Sequence, residues 1–372
     1  MQIIKSFLLG IMLMIPFLKA YASELQDSAS FGFDTYTDNN DVQVYSPTFS
    51  LMKTLSKNWL VGVKLRVDAI AAASIRIGGS PAQVDAQATA SKQSGFDDVR
   101  ASPTFLVAYE KGEHSASAGI YYSNEVDYIG QAFFASYTRE LNQGNTVLGI
   151  GFSQSGDTWS PSNNRQLEVA NRDEQKIDFS FNQLLSPTAS VQLVYSYMHS
   201  EGLLSSPYPY LVQDDTFIGF EKYPKQREGH AFALKGLKYI DEDNSLNFSY
   251  RYYKDDWDIN SHTLSAEWLH DVNEQWMVGA RIRYYSQTGS NFAKDIGTYT
   301  TNDPYVVVDY RMSAFDSYNF GIPLTYTPSD SPYSFSLSVD YYQTSDNNYI
   351  QQWFGESNIQ AVYTTFRVDY TF

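Results

Sequence analysis

The sequence predicts an all-β fold, a transmembrane antiparallel β-barrel of about 16 strands, with about 14 or about 18 strands as alternatives. Three observations predict it. Many stretches alternate apolar and polar residues with a period of two, short turns alternate with long polar loops, and the chain ends on the strand-like stretch AVYTTFRVDYTF. Bacterial outer-membrane barrels are built in this way, with short periplasmic turns and longer extracellular loops.

The first 22 residues have the layout of a secretory signal peptide. The basic residue Lys5 precedes an apolar stretch, Phe7 to Leu18, and the small-residue sequence Ala-Tyr-Ala ends at Ala22. This apolar stretch is shorter than the about 20 residues that a membrane-spanning helix needs. We therefore expect residues 1–22 to be removed on export and residues 23–372 to form a barrel in the outer membrane of a Gram-negative bacterium.

The composition of the 372-residue chain narrows its class. The 30 Tyr and 23 Phe favour strands. The mean hydropathy of −0.37, with no second long apolar stretch, excludes a helical membrane protein. Because there is no Cys, disulfides cannot stabilise the exported chain. The net charge of −16 argues against a nucleic-acid partner, whose phosphates would be repelled.

Strand-like stretches follow one another along the mature chain. In WLVGVKLRVDA, which begins at Trp59, every odd-numbered residue is apolar or small, and Lys64, Arg66 and Asp68 share the other face. The same alternation recurs in SVQLVYSYM from Ser190, SLNFSYRYY from Ser245 and WMVGARIRYY from Trp276. These strands carry about ten residues, the length that crosses a bilayer, whereas strands of soluble proteins usually have about five or six.

The connections between these strands alternate between two kinds. Short turns are expected near Ser56, Glu110, Asn142, Ser186, Asp241, Val272 and Pro328, and longer polar stretches at 71–98, 158–173, 201–226, 288–313 and 344–358. Two stretches leave alternatives open. Residues 303–313 fit either an extra strand or a loop folded into the lumen, and residues 71–91 fit either a mobile loop or one folded into the barrel mouth.

The last strand is expected to close the barrel by pairing with the first, around Ser28 to Thr37. Its apolar face includes Val362 and Phe366, and its other face carries Arg367 and Asp369. Tyr370 and Phe372 resemble the C-terminal signal by which the barrel assembly machinery recognises outer-membrane proteins.

Five stretches carry a resemblance to a known family. They are SNEVDYIGQAFFASYTRELNQGNTVLGIGFSQSGDTW from Ser123, SEGLLSSPYPYLV from Ser200, RYYKDDWDINSHTLSAEW from Arg251, RIRYYSQTGSNF from Arg281 and DYRMSAFDS from Asp309. In this order they resemble a family of bacterial outer-membrane proteins catalogued as domain of unknown function 3570. The resemblance implies a barrel whose substrate is not agreed. It also gives a hint of function, which is a periplasmic redox context. The sequence itself has no Cys and no haem-attachment motif.

Nine charged residues fall on the predicted lumen faces of the strands. They are Lys64, Arg66, Asp68, Arg251, Glu267, Arg281, Arg283, Arg367 and Asp369. Arginines and tyrosines beside carboxylates can set the ion selectivity of a pore. The same residues can instead form a salt-bridge network that fills the lumen and braces the wall, and the sequence leaves both interpretations open.

Neither a metal site nor a catalytic site is predicted. Paired carboxylates in the outer loops, such as Asp255 with Asp256, lack the spacing of an EF-hand loop and are better explained as solvated surface charge. His262 follows this pair closely enough to be considered for catalysis at the barrel rim, but the same residues suit an aromatic, acidic rim. We expect no enzyme and no cofactor.

The sequence favours a porin-like passive channel for small solutes or ions, in contact with outer-membrane lipid. The alternative is a structural barrel with a filled lumen that holds a periplasmic or cell-surface partner.

Overall fold

The computed structural model describes residues 26–71, 98–125, 127–160, 169–204, 210–213, 216–295, 297–300 and 302–372. The predicted signal peptide and most of the 71–98 stretch lie outside these ranges. The location of that stretch relative to the lumen therefore stays a prediction.

Sixteen antiparallel strands form a closed barrel, which confirms the predicted fold class and strand number. The first half of the wall consists of β1 (Ser28–Asp38), β2 (Gln43–Ser56), β3 (Trp59–Ala71), β4 (Asp98–Lys111), β5 (His114–Asn124), β6 (Tyr128–Leu141), β7 (Thr146–Trp159) and β8 (Ala170–Ser186). The second half consists of β9 (Ala189–Gly202), β12 (Gln226–Tyr239), β13 (Asn244–Asp255), β14 (Asn260–Asp271), β15 (Trp276–Gln287), β16 (Phe315–Tyr326), β17 (Tyr333–Thr344) and β18 (Gln360–Thr371).

The barrel closes between its first and last strands, as the sequence predicts. β1 pairs with β18 from Ser28 opposite Thr371 to Asp38 opposite Ala361. The Phe372 N–H then donates at 3.1 Å to the carbonyl of Asp27, the residue before β1, so residue 372 is held beside the start of β1. Because a closed ring leaves no edge strand, every strand of the wall finds backbone partners on both sides.

The strand alternation gives the barrel an apolar outer face. Phe105, Phe133, Phe232, Ile282 and Phe320 lie in the middle of their strands with about half of their surface exposed, which in a soluble protein would be costly. At the short-turn end, aromatic pairs form a belt, in which the Trp276 and Tyr326 rings stack with centroids 4.4 Å apart. Outer-membrane barrels contact lipid through an apolar band of this kind, flanked by aromatic residues. Among the described residues, no helix is long and apolar enough to cross a membrane.

The long loops carry structure that the sequence pattern did not predict. β10 (Tyr210–Gln213) and β11 (Thr216–Phe220) form a separate hairpin between β9 and β12. A 3-10 helix (Tyr310–Met312) ends the loop before β16. Helix α1 (Asn348–Phe354) lies between β17 and β18, and the Asn347 side chain caps it by accepting from the N–H groups of Tyr349 and Ile350.

The 303–313 stretch forms no strand of the barrel wall, so its loop alternative is the correct one. Val306 makes an isolated antiparallel bridge with Lys222, and Val307 a parallel one with Ala293. Val306, Val307 and Val308 are at most 1% exposed, which explains why an apolar VVV sequence suits a loop here.

Candidate functional site

Two of the nine predicted lumen charges, Arg66 and Asp68, belong to one ion network on β1 to β4. Asp68 is fully buried and accepts hydrogen bonds from Arg66 Nε at 2.7 Å, Arg100 Nε at 2.8 Å and Ser46 Oγ at 2.5 Å. Arg66 also donates to Asp34 at 2.6 Å. These bonds link four neighbouring strands, so this network braces the wall of the barrel. Lys64 lies two residues before Arg66, on the same face of β3. It takes part in none of the ion pairs of the described residues.

A second ion network joins β14, β15 and β17. Arg281 Nη2 lies 2.7 Å from Asp340 Oδ2, and Arg281 Nη1 lies 3.3 Å from Glu267 Oε1. Gly321 stands between Arg281 and Asp340 in the strand register, so no side chain separates them. The Arg281 side chain is 35% exposed, although it lies near the middle of its strand. The wall therefore leaves open space on its inner side at this height.

Arg251 and Arg283 are held by aromatic rings. The Arg251 guanidinium carbon lies 5.2 Å from the centre of the Tyr253 ring, and that of Arg283 lies 5.5 Å from the centre of the Tyr285 ring. Cation–π contacts of this kind position an arginine without neutralising its charge. Arg251 takes part in no ion pair among the described residues.

Arg367 and Asp369, the remaining predicted lumen residues, lie on β18. They share the lumen face of that strand, and Arg367 is exposed. No ion pair joins them within the described part of the chain. The structure thus places Arg66, Asp68, Glu267 and Arg281 in two braced networks. Lys64, Arg251, Arg367 and Asp369 take part in no ion pair among the described residues.

Further lumen ion pairs were missed by sequence reasoning. Asp157 lies directly opposite Arg172 in the strand register and accepts from its Nε at 2.9 Å and from the Tyr128 hydroxyl at 2.7 Å. Arg227 Nη2 lies 2.5 Å from Asp255 Oδ2. The sequence alternation is enough to assign each of these residues to the lumen face of its strand. It does not show which of them pair across the long loops.

Asp255 and His262, considered above for catalysis, lie on different faces of the wall. Asp255 is buried at the inner face and receives, besides Arg227, the N–H groups of Trp257 and Ile259 at 3.0 Å. The His262 ring lies on the outer face, where its Nδ1 is 2.7 Å from the Tyr250 hydroxyl. Within the described residues, no three His, Asp or Glu side chains are grouped closely enough to hold a metal ion.

Two loops fold over the mouth at the long-loop end, and their described residues, within 203–225 and 288–314, are called the cap below. Phe292 and Val307 of the cap form a buried cluster with Trp257 of the β13–β14 turn. Met312 packs against Ala231 and Tyr253, which belong to the inner face of β12 and β13.

On the other side of the mouth, Tyr310 packs in a cluster with Ile350, Ile359 and Tyr342, so the cap reaches from β12 to the β17–β18 loop. Gln287 on β15 holds the C-terminal end of the cap by donating to the Ser313 carbonyl at 2.6 Å. The cap therefore narrows the mouth from within.

A buried carboxyl group lies where the two loops of the cap meet. Glu221 Oε1 accepts from the Val308 N–H at 2.8 Å, and its Oε2 is buried. Burial, followed by the negative charge of Asp309, raises the pKa of Glu221 to about 8, while the Val308 N–H and Arg311 only partly oppose this. Arg311 is engaged by Asp309, to which its Nε donates at 2.9 and 2.8 Å. Glu221 is therefore a titratable contact between the two loops.

A family model described as "Protein of unknown function (DUF3570)" matches residues 16–370. No curated protein matches the sequence. Among solved structures, a bacterial polysaccharide outer membrane secretin is similar over 94% of this chain and 100% of its own, with a TM-score of 0.55 and 7% identity. At this identity the likeness shows the fold alone, that of an outer-membrane barrel.

Two further structures are similar at lower scores. The CymD monoaromatic hydrocarbon channel matches 94% of this chain and 89% of its own, with a TM-score of 0.43 and 10% identity. A ferric enterobactin receptor from Pseudomonas aeruginosa matches 87% of this chain and 54% of its own, with a TM-score of 0.46 and 10% identity. Both scores are too low to support an argument about function.

Proposed function

The chain belongs to the DUF3570 family, whose members are described as proteins of unknown function, and we propose that it is a porin-like passive channel for small solutes or ions. The observation that carries the proposal is the exposure of charged side chains on the inner wall. Arg281 is 35% exposed in mid-strand, and Arg367 is exposed as well. A barrel of sixteen strands is wide enough to leave an aqueous channel, and exposed inner charges fit such a channel.

A second candidate is the structural barrel with a filled lumen that holds a periplasmic or cell-surface partner. The Asp68 network and the buried valines of the cap favour it, because both fill space that a wide pore would leave open. The two candidates differ in whether the water on the inner wall is continuous through the cap.

Conductance separates the two candidates. The mature chain, residues 23–372, is refolded in detergent and added to a planar lipid bilayer in KCl. A channel gives discrete, steady current steps, whereas silence from protein shown to be folded by spectroscopy would contradict the channel and favour the filled barrel.

The inner-wall charges are tested in the same bilayer. The double change Arg281→Ala with Arg283→Ala is expected to shift the reversal potential in a KCl gradient, because it removes two positive charges from the wall. Arg139→Ala is the matched control, since Arg139 lies on the outer face beside Leu148. Equal reversal potentials for the double variant and the wild type would contradict the assignment of these arginines.

We also propose that the chain reaches the outer membrane of a Gram-negative bacterium through a cleaved signal peptide and the barrel assembly machinery. The exposed C-terminal Phe372, whose ring meets Tyr370 edge-on at 4.8 Å, supports this proposal because it presents an aromatic end at the rim. Deletion of Phe372 should lower the amount of assembled barrel in membrane fractions. Sequencing the N-terminus of the exported chain tests cleavage after Ala22.

A further inference from the structure

A polar pocket of about 430 Å³ lies between the cap and the loop that joins β17 to β18. Its lining includes Ser290 and Asp295 on the cap side, and Asp346 and Tyr349 on the other side. Its volume is within the range of pockets that hold small molecules, about 300–1,000 Å³. Asp295 and Asp346 are exposed, so the pocket is open to solvent. It lies at the long-loop end, which is the extracellular end of outer-membrane barrels.

Hydrogen bonds hold the two sides of this pocket together. Asn347, which also lines it, donates from Nδ2 to Ser313 Oγ at 2.8 Å and to the Ala314 carbonyl at 3.1 Å. On the cap side, the Ser290 N–H donates to the Met312 carbonyl at 2.7 Å. The pocket is therefore preformed, which reduces the entropy that a ligand loses on binding.

The Ser290 hydroxyl is the group that points to a ligand. Ser290 lines the pocket and is 8% exposed, yet its hydroxyl has no hydrogen-bond partner among the described residues. Buried polar groups of folded proteins are nearly always hydrogen-bonded. A serine hydroxyl can occupy three staggered positions, so it can turn toward a ligand without a change of the backbone. A ligand hydroxyl in the pocket would give it a partner.

Two carboxylates line the same pocket. Asp295 takes part in no side-chain hydrogen bond or ion pair within the described ranges. Asp346 Oδ1 accepts from Asn358 Nδ2 at 2.9 Å and from Ser357 Oγ at 2.8 Å, and these two bonds lower the pKa of Asp346, so it is ionised at neutral pH. None of the described residues that line the pocket is Lys, Arg or His. Carboxylates without a cation beside them repel an anion and accept from hydroxyl groups.

Tyr349 adds an aromatic ring and a hydroxyl donor. Burial, followed by the negative charge of Asp295, raises the pKa of Tyr349 to about 12. The hydroxyl therefore stays protonated at neutral pH and can donate. The ring is partly buried in the lining, and it offers an apolar face beside the polar groups.

The donors and acceptors of the pocket suit a sugar better than a cation. A sugar hydroxyl both donates and accepts, so neighbouring hydroxyls can donate to Asp295 and accept from Ser290. An ammonium group has no acceptor for the protonated Tyr349 hydroxyl. A calcium ion needs six to eight oxygen ligands, and in the described part of the chain no three acidic or His side chains are close enough to hold a metal ion.

We propose that this pocket is a saccharide-binding site, in which Ser290, Asp295 and Asp346 bond sugar hydroxyls and the Tyr349 ring packs against the sugar. The sugar is neutral, and it is either free in solution or part of a surface glycan, since both present the same hydroxyls. If it is free, the site names the class of solute that the channel receives, and the inference rests on the proposed function in that respect. Binding itself does not require conduction.

The first experiment measures sugar binding to the detergent-solubilised barrel by saturation-transfer difference NMR. The free sugars are D-glucose, D-galactose and N-acetyl-D-glucosamine, and the glycan is a purified O-antigen polysaccharide. An amine-oxide detergent is used, because maltoside headgroups are themselves sugars. The wild type should bind at least one of these probes, and the probe that binds identifies the source. No binding of any of them by folded wild type would overturn the site.

The variant Ser290→Ala with Asp295→Asn tests the groups assigned to the sugar. Binding should weaken by about tenfold or more, because one neutral and one charge-assisted hydrogen bond are lost. Stability in urea should not fall, since neither side chain bonds within the described residues. The matched control is Ser123→Ala with Asp330→Asn. The Ser123 hydroxyl is also buried without a partner among those residues, Asp330 is exposed, and neither lines the pocket. Equal affinity of the pocket variant and this control would overturn the assignment.

Competition separates a sugar site from a cation site. Calcium chloride or tetramethylammonium chloride, added at the concentration of the bound sugar, should leave the sugar signal unchanged. Displacement of the sugar by either cation would contradict the proposal. A wild type that binds a sugar but gives no current steps in the bilayer would contradict the channel and leave the site intact. Current steps from a protein that binds none of the sugars would contradict the site alone.

Discussion

The substitution Gly321→Ala tests how the Arg281–Asp340 ion pair is built. Gly321 lies opposite both residues in the register, and a Cβ added there would stand 2.1 Å from Asp340 Oδ1 and 3.2 Å from Arg281 Nε. The approach to Asp340 is too close to be tolerated, so its carboxylate must rotate away, whereas Arg281 has to move by only a few tenths of an ångström. The bonds from Arg281 Nη2 at 2.8 and 2.7 Å would then be lost.

The expected loss in the free energy of unfolding follows from the exposure of the Arg281–Asp340 pair. Because Arg281 is 35% and Asp340 14% exposed, water screens the pair, and its contribution is at most about 1 kcal/mol. The added Cβ clashes with the end of the short Asp340 side chain. We therefore expect a further loss near the low end of the range typical of overpacking, about 1–3 kcal/mol. We expect the free energy of unfolding to fall by about 1–2 kcal/mol.

The assay is urea unfolding in lipid vesicles followed by tryptophan fluorescence, with Gly32→Ala as matched control. Gly32 also faces the lumen in mid-strand, but its added Cβ would meet Thr48 Cβ at 3.7 Å, an ordinary contact. Both substitutions reduce the entropy of the unfolded chain equally, so the difference between them isolates the clash. The double variant Gly321→Ala with Asp340→Ala should recover the part due to the clash. If Gly321→Ala were as stable as Gly32→Ala, the ion pair would not occupy the space above Gly321.

Three further predictions concern the networks and the cap. Because the folded pKa of Glu221, about 8, lies above the ordinary value of 4.5, cap docking is most stable below about pH 4.5, weakens as pH rises from there to about 8, and is constant above that; Glu221→Gln should abolish this dependence, measured by protease cleavage of the cap between about pH 5 and 9. Asp68→Asn leaves the buried Arg100 without its closest charge and should lower the free energy of unfolding by about 3–5 kcal/mol in the same urea assay, and a loss below about 1 kcal/mol would contradict the buried network. Tyr310→Ala removes a ring that is 5% exposed from the cap and should raise single-channel conductance, whereas unchanged conductance would place the cap outside the path.

The wall of the barrel could be predicted from the sequence because its signal is periodic. The alternation around Lys64 and Arg281 assigned each to the inner face, and the pairing of the last strand with the first followed from closure. The partners could not be predicted in the same way. Arg281 and Asp340 are 59 residues apart, and their contact depends on the register of three strands and on the absence of a side chain at Gly321. The alternation alone does not fix that register across a long loop.

The cap was harder to predict because loops have no period. The sequence VVVDY from Val306 to Tyr310 is apolar enough for a strand, and short apolar runs do not distinguish a strand from another buried segment. Val307 packs against Trp257 and Phe292, and Val306 and Val308 pack with Leu211 and Tyr299. Trp257 and Leu211 are distant in sequence and contact this stretch only once the barrel has placed its loops together. Helix α1 is likewise too short for a helical period, and only its cap residue Asn347 marks its start.

The charges without partners bear on whether the lumen holds water. A buried ion without a partner costs several kcal/mol, so a filled lumen would be expected to pair every charge, as the Asp68 network does. Lys64, Arg251 and Arg367 take part in no ion pair among the described residues, and Arg367 is exposed. The Tyr253 ring lies over Arg251 and Asp369 lies near Arg367, and hydration has to supply the rest of the stabilisation, which requires water beside the braced part of the barrel. These charges support the proposed channel over the filled barrel.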